Sequence, residues 1–258
     1  MPDRWRFVLI SLAALVGVAV TLSLGRWQLQ RAAYKQELFD AVQRQQGLPP
    51  WGNAQLAATR PEAGDAAEAA PWLHRPVRLQ GHWIAEQTLY LDNRQMLGQP
   101  GFFVLTPLRL AAPHEDVVIA VQRGWVPRNF LDRTALPEVQ TPEGLVIVQG
   151  RLEAAPSRLY EFGAGAGADP DGQKSRIRQN VDIAEWAQAC GLPLRAWSLL
   201  QAGEASEGLR RDWPVVTAGV EKHHGYAFQW FGLAALITLL YVWFQIVRRF
   251  VRPRNDRS

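Results

Sequence analysis

Two charge-free apolar runs constrain this chain more than any other feature. Phe7 to Leu24 is 18 residues long and Tyr226 to Val247 is 22, and neither holds Asp, Glu, Lys or Arg. As α-helices they would reach roughly 27 and 33 Å, close to the thickness of a bilayer's hydrocarbon layer. Inside lipid every backbone N–H and C=O must find its partner within the segment, so helix is the form expected of both. The first run also has features of a signal peptide, with Arg4 and Arg6 before it and the small residues Ser23 and Gly25 near its end. It is long for a signal core and lacks an A-x-A cleavage pattern, so an uncleaved anchor is the expectation.

The charge distribution follows from the same two runs. The 258 residues carry a net +4, with an isoelectric point of about 9.6. The tails alone, with Arg4 and Arg6 at one end and Arg248, Arg249, Arg252, Arg254 and Arg257 at the other, exceed that total. The middle of the chain is therefore slightly acidic, and the basicity points to membrane topology rather than to nucleic acid. Arginines beside a span mark its cytoplasmic end. The second span should thus end inside, the N-terminus with it, and residues 26–225 should lie outside. Arg26, Arg31 and Lys35 just beyond the first span oppose this orientation, but long translocated loops tolerate basic residues.

Cys190 is the single cysteine, so an internal disulfide and a C-x-x-C redox, copper or haem-attachment motif are excluded. Two methionines are too few for a Met-rich copper carrier. The sequence also lacks a phosphate loop, G-x-S-x-G and H-E-x-x-H. Nothing in these patterns supports an enzyme.

Between the runs, residues 26–46 read as a helix continuing out of the first span, stopped by Gly47, Pro49 and Pro50. Residues 52–70 are Ala-, Gly- and Glu-rich, and 163–175 read as a second loop. Short apolar runs at 76–79, 88–92, 102–110, 117–123, 144–152 and 196–200 are separated by Gly, Pro, Asn and Asp. That punctuation predicts an antiparallel sandwich or barrel. Pro107 within its run predicts an edge or a bulge. Asp182, with Glu185 three residues later, predicts a capped helix that Gly191 ends, with Cys190 buried on it.

The expected organisation is a cytoplasmic tail (1–6), a transmembrane helix (7–24), a helical extension (25–46) and a flexible linker (47–75). An extracytoplasmic β-rich domain (76–222), a second transmembrane helix with an interfacial start (223–247) and a basic cytoplasmic tail (248–258) complete it. The fold class is a membrane protein of the α+β type. Two transmembrane helices flank an antiparallel barrel- or sandwich-like domain with one or two short helices.

Three places stand out as sites. "LDNR" at 91–94 and "VQRGWVPR" at 121–128 each put an arginine at the end of an apolar strand. These arginines either terminate strands by pairing with carboxylates and carbonyls or form a docking surface. His74, His82 and His114 are scattered and read as surface or hydrogen-bonding groups. The third place is "HHGYAFQWFG" at 223–232, where imidazoles stand before the second span. Trp27, Gln28 and Arg31, just after the first span, should reach the same depth as His223 and His224. A neutral imidazole can ligate haem iron, aromatics can cover a porphyrin, and Arg26 or Arg31 can meet its propionates. Successive helical residues differ by about 100°, so only one of the two histidines can be the ligand and the other is a polar cap. An interfacial histidine can equally be a hydrogen-bonding anchor.

At these residues the chain resembles the Surfeit locus protein 1 family of cytochrome c oxidase assembly factors. "LGRWQLQRAAYK" at 24–35 is similar to that family's pattern after the first span, with Tyr34 where Trp is common. "PVRLQGHW", "LYLDNR", "GFFVLTPL", "VQRGWVP" and "HHGYAFQWFG" follow in the family's order. The resemblance implies a two-span membrane protein with a large extracytoplasmic β-rich domain that helps build haem–copper oxidases; the residues themselves lead us to expect a bacterial plasma membrane with both termini cytoplasmic. The resemblance also implies haem a as cargo, held between haem a synthase and oxidase subunit I. The family's histidine, three residues before the tyrosine, corresponds to His223; His224 stands where Leu is more common. Haem contact is accordingly expected at His223, His224, Trp27 and Arg31, with His223 as the possible iron ligand. The alternative is a scaffold that stabilises an oxidase assembly intermediate without haem.

Overall fold

The computed structural model describes residues 3–59, 69–129, 136–156, 158–159, 176–214 and 219–248. The loop expected at 163–175, residues 60–68 of the 52–70 excursion and nearly all of the basic C-terminal tail lie outside these residues. The chain divides into two units. Residues 1–41 and 216–258 form one, and residues 42–215 form the other.

Most of α1 (Asp3–Gln46) belongs to the first unit, and it is one uninterrupted helix, so the apolar run and its polar continuation share a single axis. The second helix, α4 (Val220–Tyr241), passes directly into a π-helical turn at Val242–Val247. Both helices are long and apolar enough to cross a membrane, and only 6 % of each one's window of highest hydropathy is buried. A core helix of a soluble protein would instead bury such a surface, so lipid is the solvent these side chains suit.

The second unit is a β-barrel. Its strands are β1 (Pro76–Trp83), β2 (Leu89–Met96), β3 (Gln99–Leu110), β4 (Val118–Pro127), β5 (Val146–Glu153), β6 (Ile177–Arg178) and β7 (Leu194–Gln201). They run in the order β1-β5-β7-β4-β3-β2-β6, and β1 pairs with β3 to close five strands into a barrel. Closure depends on a close backbone approach at Gly81, where an added Cβ would lie 2.2 Å from the Arg109 carbonyl oxygen. Most pairings are antiparallel, as the short punctuated runs predict. The exceptions are β4 with β7 and β2 with β6, which are parallel.

Alternation along β1 sends Val77, Leu79 and Gly81 inward and Arg78, Gln80 and His82 outward. The inward residues join Leu56, Leu108, Ile119, Val148 and Trp197 in the main core, each large side chain stabilising by about 1.5–3 kcal/mol. The indole N–H of Trp197 donates to the Ala69 carbonyl at 2.9 Å, so this buried polar group is satisfied. Two short helices complete the unit: α2 (Asn53–Ala58) covers the core through Leu56, and α3 (Ile183–Cys190) lies on the other face of the sheet. Asp182 caps α3 by accepting from Ala184 N (2.9 Å) and Glu185 N (3.2 Å), and Gly191 ends it in the left-handed conformation. Cys190 is only partly buried there, packed at the margin of the Trp186 cluster.

Pro107 is not on an edge, since β3 is paired along both sides. It sits where the far side of β3 changes partner, between Leu105, which pairs with Leu89, and Leu108, which pairs with Trp83. Its missing N–H therefore leaves no ladder bond unmade. The β2–β3 hairpin turns on Leu97 and Gly98, both at positive φ, as a two-residue loop of the primed type requires.

Candidate functional site

The arginines of the LDNR and VQRGWVPR stretches are engaged inside the barrel unit. Arg123 is fully buried, bonded to Glu207 Oε2 (2.7 Å), the Gln140 carbonyl (2.8 Å) and Thr141 Oγ1 (2.8 Å), with its guanidinium 4.7 Å from the centre of the Trp83 ring. Arg211 donates to the Arg123 carbonyl at 2.8 Å and to the Glu204 carbonyl. Arg94, also buried, donates to the Gln179 carbonyl (2.9 Å), and Arg128 meets Asp92 at 3.4 Å. Burial lowers the pKa of Arg94 and of Arg211 from the ordinary arginine value. These groups hold segments of the barrel together by pairing with carboxylates and carbonyls, as expected of internally engaged arginines, but Arg94 and Arg123 do so from inside β2 and β4, which run on to Met96 and Pro127 rather than ending at them. His74 meets Glu153 at 3.1 Å, as a hydrogen-bonding group would.

The helix unit holds a different kind of site. The less exposed residues of α1 include Ser11, Ala14, Val18, Thr21, Gly25, Gln28 and Ala32. Those of α4 include His223, Ala227, Trp230, Ala234, Ile237 and Tyr241. Both sets advance by alternating steps of three and four, the repeat of two helices wound left-handedly along one seam. Small residues dominate it, as they do where helices pack without help from water. The contacts run antiparallel. Ser11 Oγ lies 2.7 Å from the Tyr241 hydroxyl, Gly25 faces Phe231, and Gln28 meets His223.

Gln28 Oε1 and His223 Nδ1 are 2.8 Å apart, joining residues 195 positions distant in sequence. Arg31 and Lys35, one and two turns further along α1, carry the cationic charges that act on His223, together with the imidazole of His224. Arg31 is exposed and places its guanidinium 5.6 Å from the centre of the Tyr34 ring. Trp27 is 54 % exposed and Tyr226 52 %, an arrangement suited to an aromatic belt at a membrane surface. His224 is exposed, about 100° around α4 from His223. Of the residues expected at this site, His223 is the one on the seam. Trp27, Arg31 and His224 present open faces around it. Sequence reasoning placed Gln28 at the right depth without singling it out as the partner, and Gly25, whose lack of a side chain lets the helices approach, drew no functional reading. The small residues Thr21, Gly25 and Ala32, with Gln28 falling between them at the same three-four spacing, are the signal for both.

Among the described residues no cluster of three His, Cys, Asp or Glu is arranged to hold a bare metal ion. A metal carried in a macrocycle needs fewer protein ligands: one imidazole, apolar or aromatic surface and cations for acid side arms. His223, Trp27, Tyr226, Arg31 and Lys35 supply that set of chemistries.

A closed β-barrel and two membrane-length helices paired along a small-residue seam define a barrel protein with a two-helix membrane anchor. Comparison with known proteins gives the family. The SURF1 family profile matches residues 15–235, and the chain belongs to this family. It is 24 % identical to a SURF1-like protein of Rickettsia bellii, over 95 % of this chain and 92 % of that one. It is 24 % identical to Surfeit locus protein 1 of Rattus norvegicus, over 91 % of this chain and 73 % of that one. The cytochrome oxidase assembly protein SHY1 of Saccharomyces cerevisiae is 26 % identical over 67 % of this chain and 41 % of its own length.

Proposed function

We propose that this chain is a non-catalytic assembly factor for haem–copper cytochrome c oxidase. It lies in a bacterial plasma membrane with both termini in the cytoplasm, and it holds haem a at the outer ends of α1 and α4 for delivery to subunit I. Its oxidase role rests on the family, in which the yeast relative is named for cytochrome oxidase assembly. The observation that carries the haem reading is His223 on the helix seam, bonded to Gln28 and acted on by the charges of Lys35 and Arg31, with Trp27, next to Gln28 in sequence, and Tyr226, one turn after His223, exposed on the same two helices. In this reading His223 is the iron ligand, Trp27 covers the macrocycle, and Arg31 pairs with a propionate. His224, exposed and turned away, caps the helix end in water. Haem a synthase is the donor in the same scheme.

The oxidase role is tested by deleting the gene and restoring it with variants, while measuring assembled oxidase from the haem a absorbance and subunit I content of membranes. The deletion strain should lose most assembled oxidase. His223→Ala, Trp27→Ala and Arg31→Ala should restore it poorly, whereas a chain shortened within 163–175 should restore it well. Normal oxidase in the deletion strain contradicts the assembly role. Full restoration by all three variants contradicts the site.

A further inference from the structure

An amide oxygen can only accept a hydrogen bond. As the Gln28 amide is placed, its oxygen faces His223 Nδ1 at 2.8 Å, the orientation that pairs with a ring proton on Nδ1. In a neutral imidazole the other nitrogen, Nε2, then keeps its lone pair. An unrestrained histidine favours the opposite tautomer, with its proton on Nε2 and no lone pair there to offer. We infer that Gln28 is a positioning residue: it sets His223 in the Nδ1–H tautomer and fixes the ring so that Nε2 is the nitrogen available to a metal centre. This inference rests on the haem reading above and names the residue that would prepare the ligand.

Two observations make Gln28 the group suited to this role. The cations that act on His223 belong to Lys35 and Arg31, which carry donors only and cannot accept the Nδ1 proton. The partner also comes from the other helix, one turn from the Gly25–Phe231 contact, so the helix spacing that fixes the ring is set by packing rather than by the hydrogen bond itself. A neutral amide orients the ring without placing an anion at the membrane surface. Second partners of this kind typically govern metal affinity by about 10–100-fold.

The test uses full-length, haem-free protein in nanodiscs with 15N-labelled histidine, held at about pH 8.5 so that imidazoles are neutral. The His223 ring signals are assigned by their loss in His223→Ala. Wild type should show a protonated Nδ1 and an unprotonated Nε2 at His223. Gln28→Leu should shift most of the population to Nε2–H, and Gln28→Glu, which keeps an acceptor, should retain the wild-type pattern. On haem addition, Gln28→Leu should bind about 10–100-fold more weakly than wild type. Nε2–H in the wild type, or an unchanged tautomer in a folded Gln28→Leu, overturns the inference. If Gln28→Leu does not fold, a wild-type pattern lost in Gln28→Glu overturns it as well. Wild-type protein that shows Nδ1–H but takes up no haem leaves the tautomer assignment standing and defeats the haem reading instead.

Discussion

Gly25 on α1 stands directly against the ring of Phe231 on α4: a Cβ added to Gly25 would lie 2.6 Å from Phe231 Cε1. No real Cβ tolerates that separation, so a larger residue there must push the helices apart or turn the phenylalanine. Gly25→Val should destabilise the pair by about 1–3 kcal/mol and loosen the Gln28–His223 bond one turn away. Thermal unfolding of the full chain in detergent reads the first effect, and the His223 ring signals read the second. Phe231→Ala in the same chain should restore much of the loss. Unaltered stability in Gly25→Val would show that the seam is not tightly packed.

The barrel should respond most strongly to loss of a charge partner. Arg123 has no exposure, and Glu207, with its side chain 20 % exposed, is the carboxylate bonded to it. Removing one member of such a pair strands the other, so Glu207→Ala should cost about 3 kcal/mol, the low end for buried pairs given its partial exposure. Arg158 and Asp182 form a far more exposed pair, and Arg158→Ala should cost less than about 1 kcal/mol. Denaturant midpoints followed by tryptophan fluorescence compare the two. Equal losses would mean the Arg123 cluster adds little to the barrel.

The antiparallel contacts of α1 and α4 bring the N-terminus of one helix level with the C-terminus of the other. Arg4 and Arg6 precede the one helix end in sequence and an arginine-rich tail follows the other, the charge pattern expected if both ends face the cytoplasm. Reporter fusions at both termini should read cytoplasmic, and a fusion after Gln201 should read exported. An exported C-terminus would overturn the topology.

What sequence revealed and what it withheld divides along the range of the interactions. The apolar runs, the Asp182 cap and most strands are written in neighbouring residues, and each appears within a few positions of its expected place. Barrel closure is not local: it joins Gly81–Trp83 to Leu108–Leu110, and no short-range pattern carries it. The two-residue strand Ile177–Arg178 is too short to carry any pattern, and its pairing beside Tyr90 comes from the fold around it. Whether Arg94 and Arg123 face a partner or engage their own chain is not legible in sequence, because burial decides it and burial is a tertiary fact. At the helix seam, depth could be counted from the ends of the spans. Which of Trp27, Gln28 and Arg31 would meet His223 depended on the rotation of each helix, which the small-residue spacing sets.

The central claim is that the paired outer ends of α1 and α4 carry haem a on His223. The most direct test is the Soret absorbance of the full chain purified from membranes that make haem a, compared with His223→Ala purified in parallel. The account predicts a coloured wild-type protein and a variant that has lost most of the band while retaining its fold. A colourless wild type, or a variant with undiminished absorbance, would contradict it.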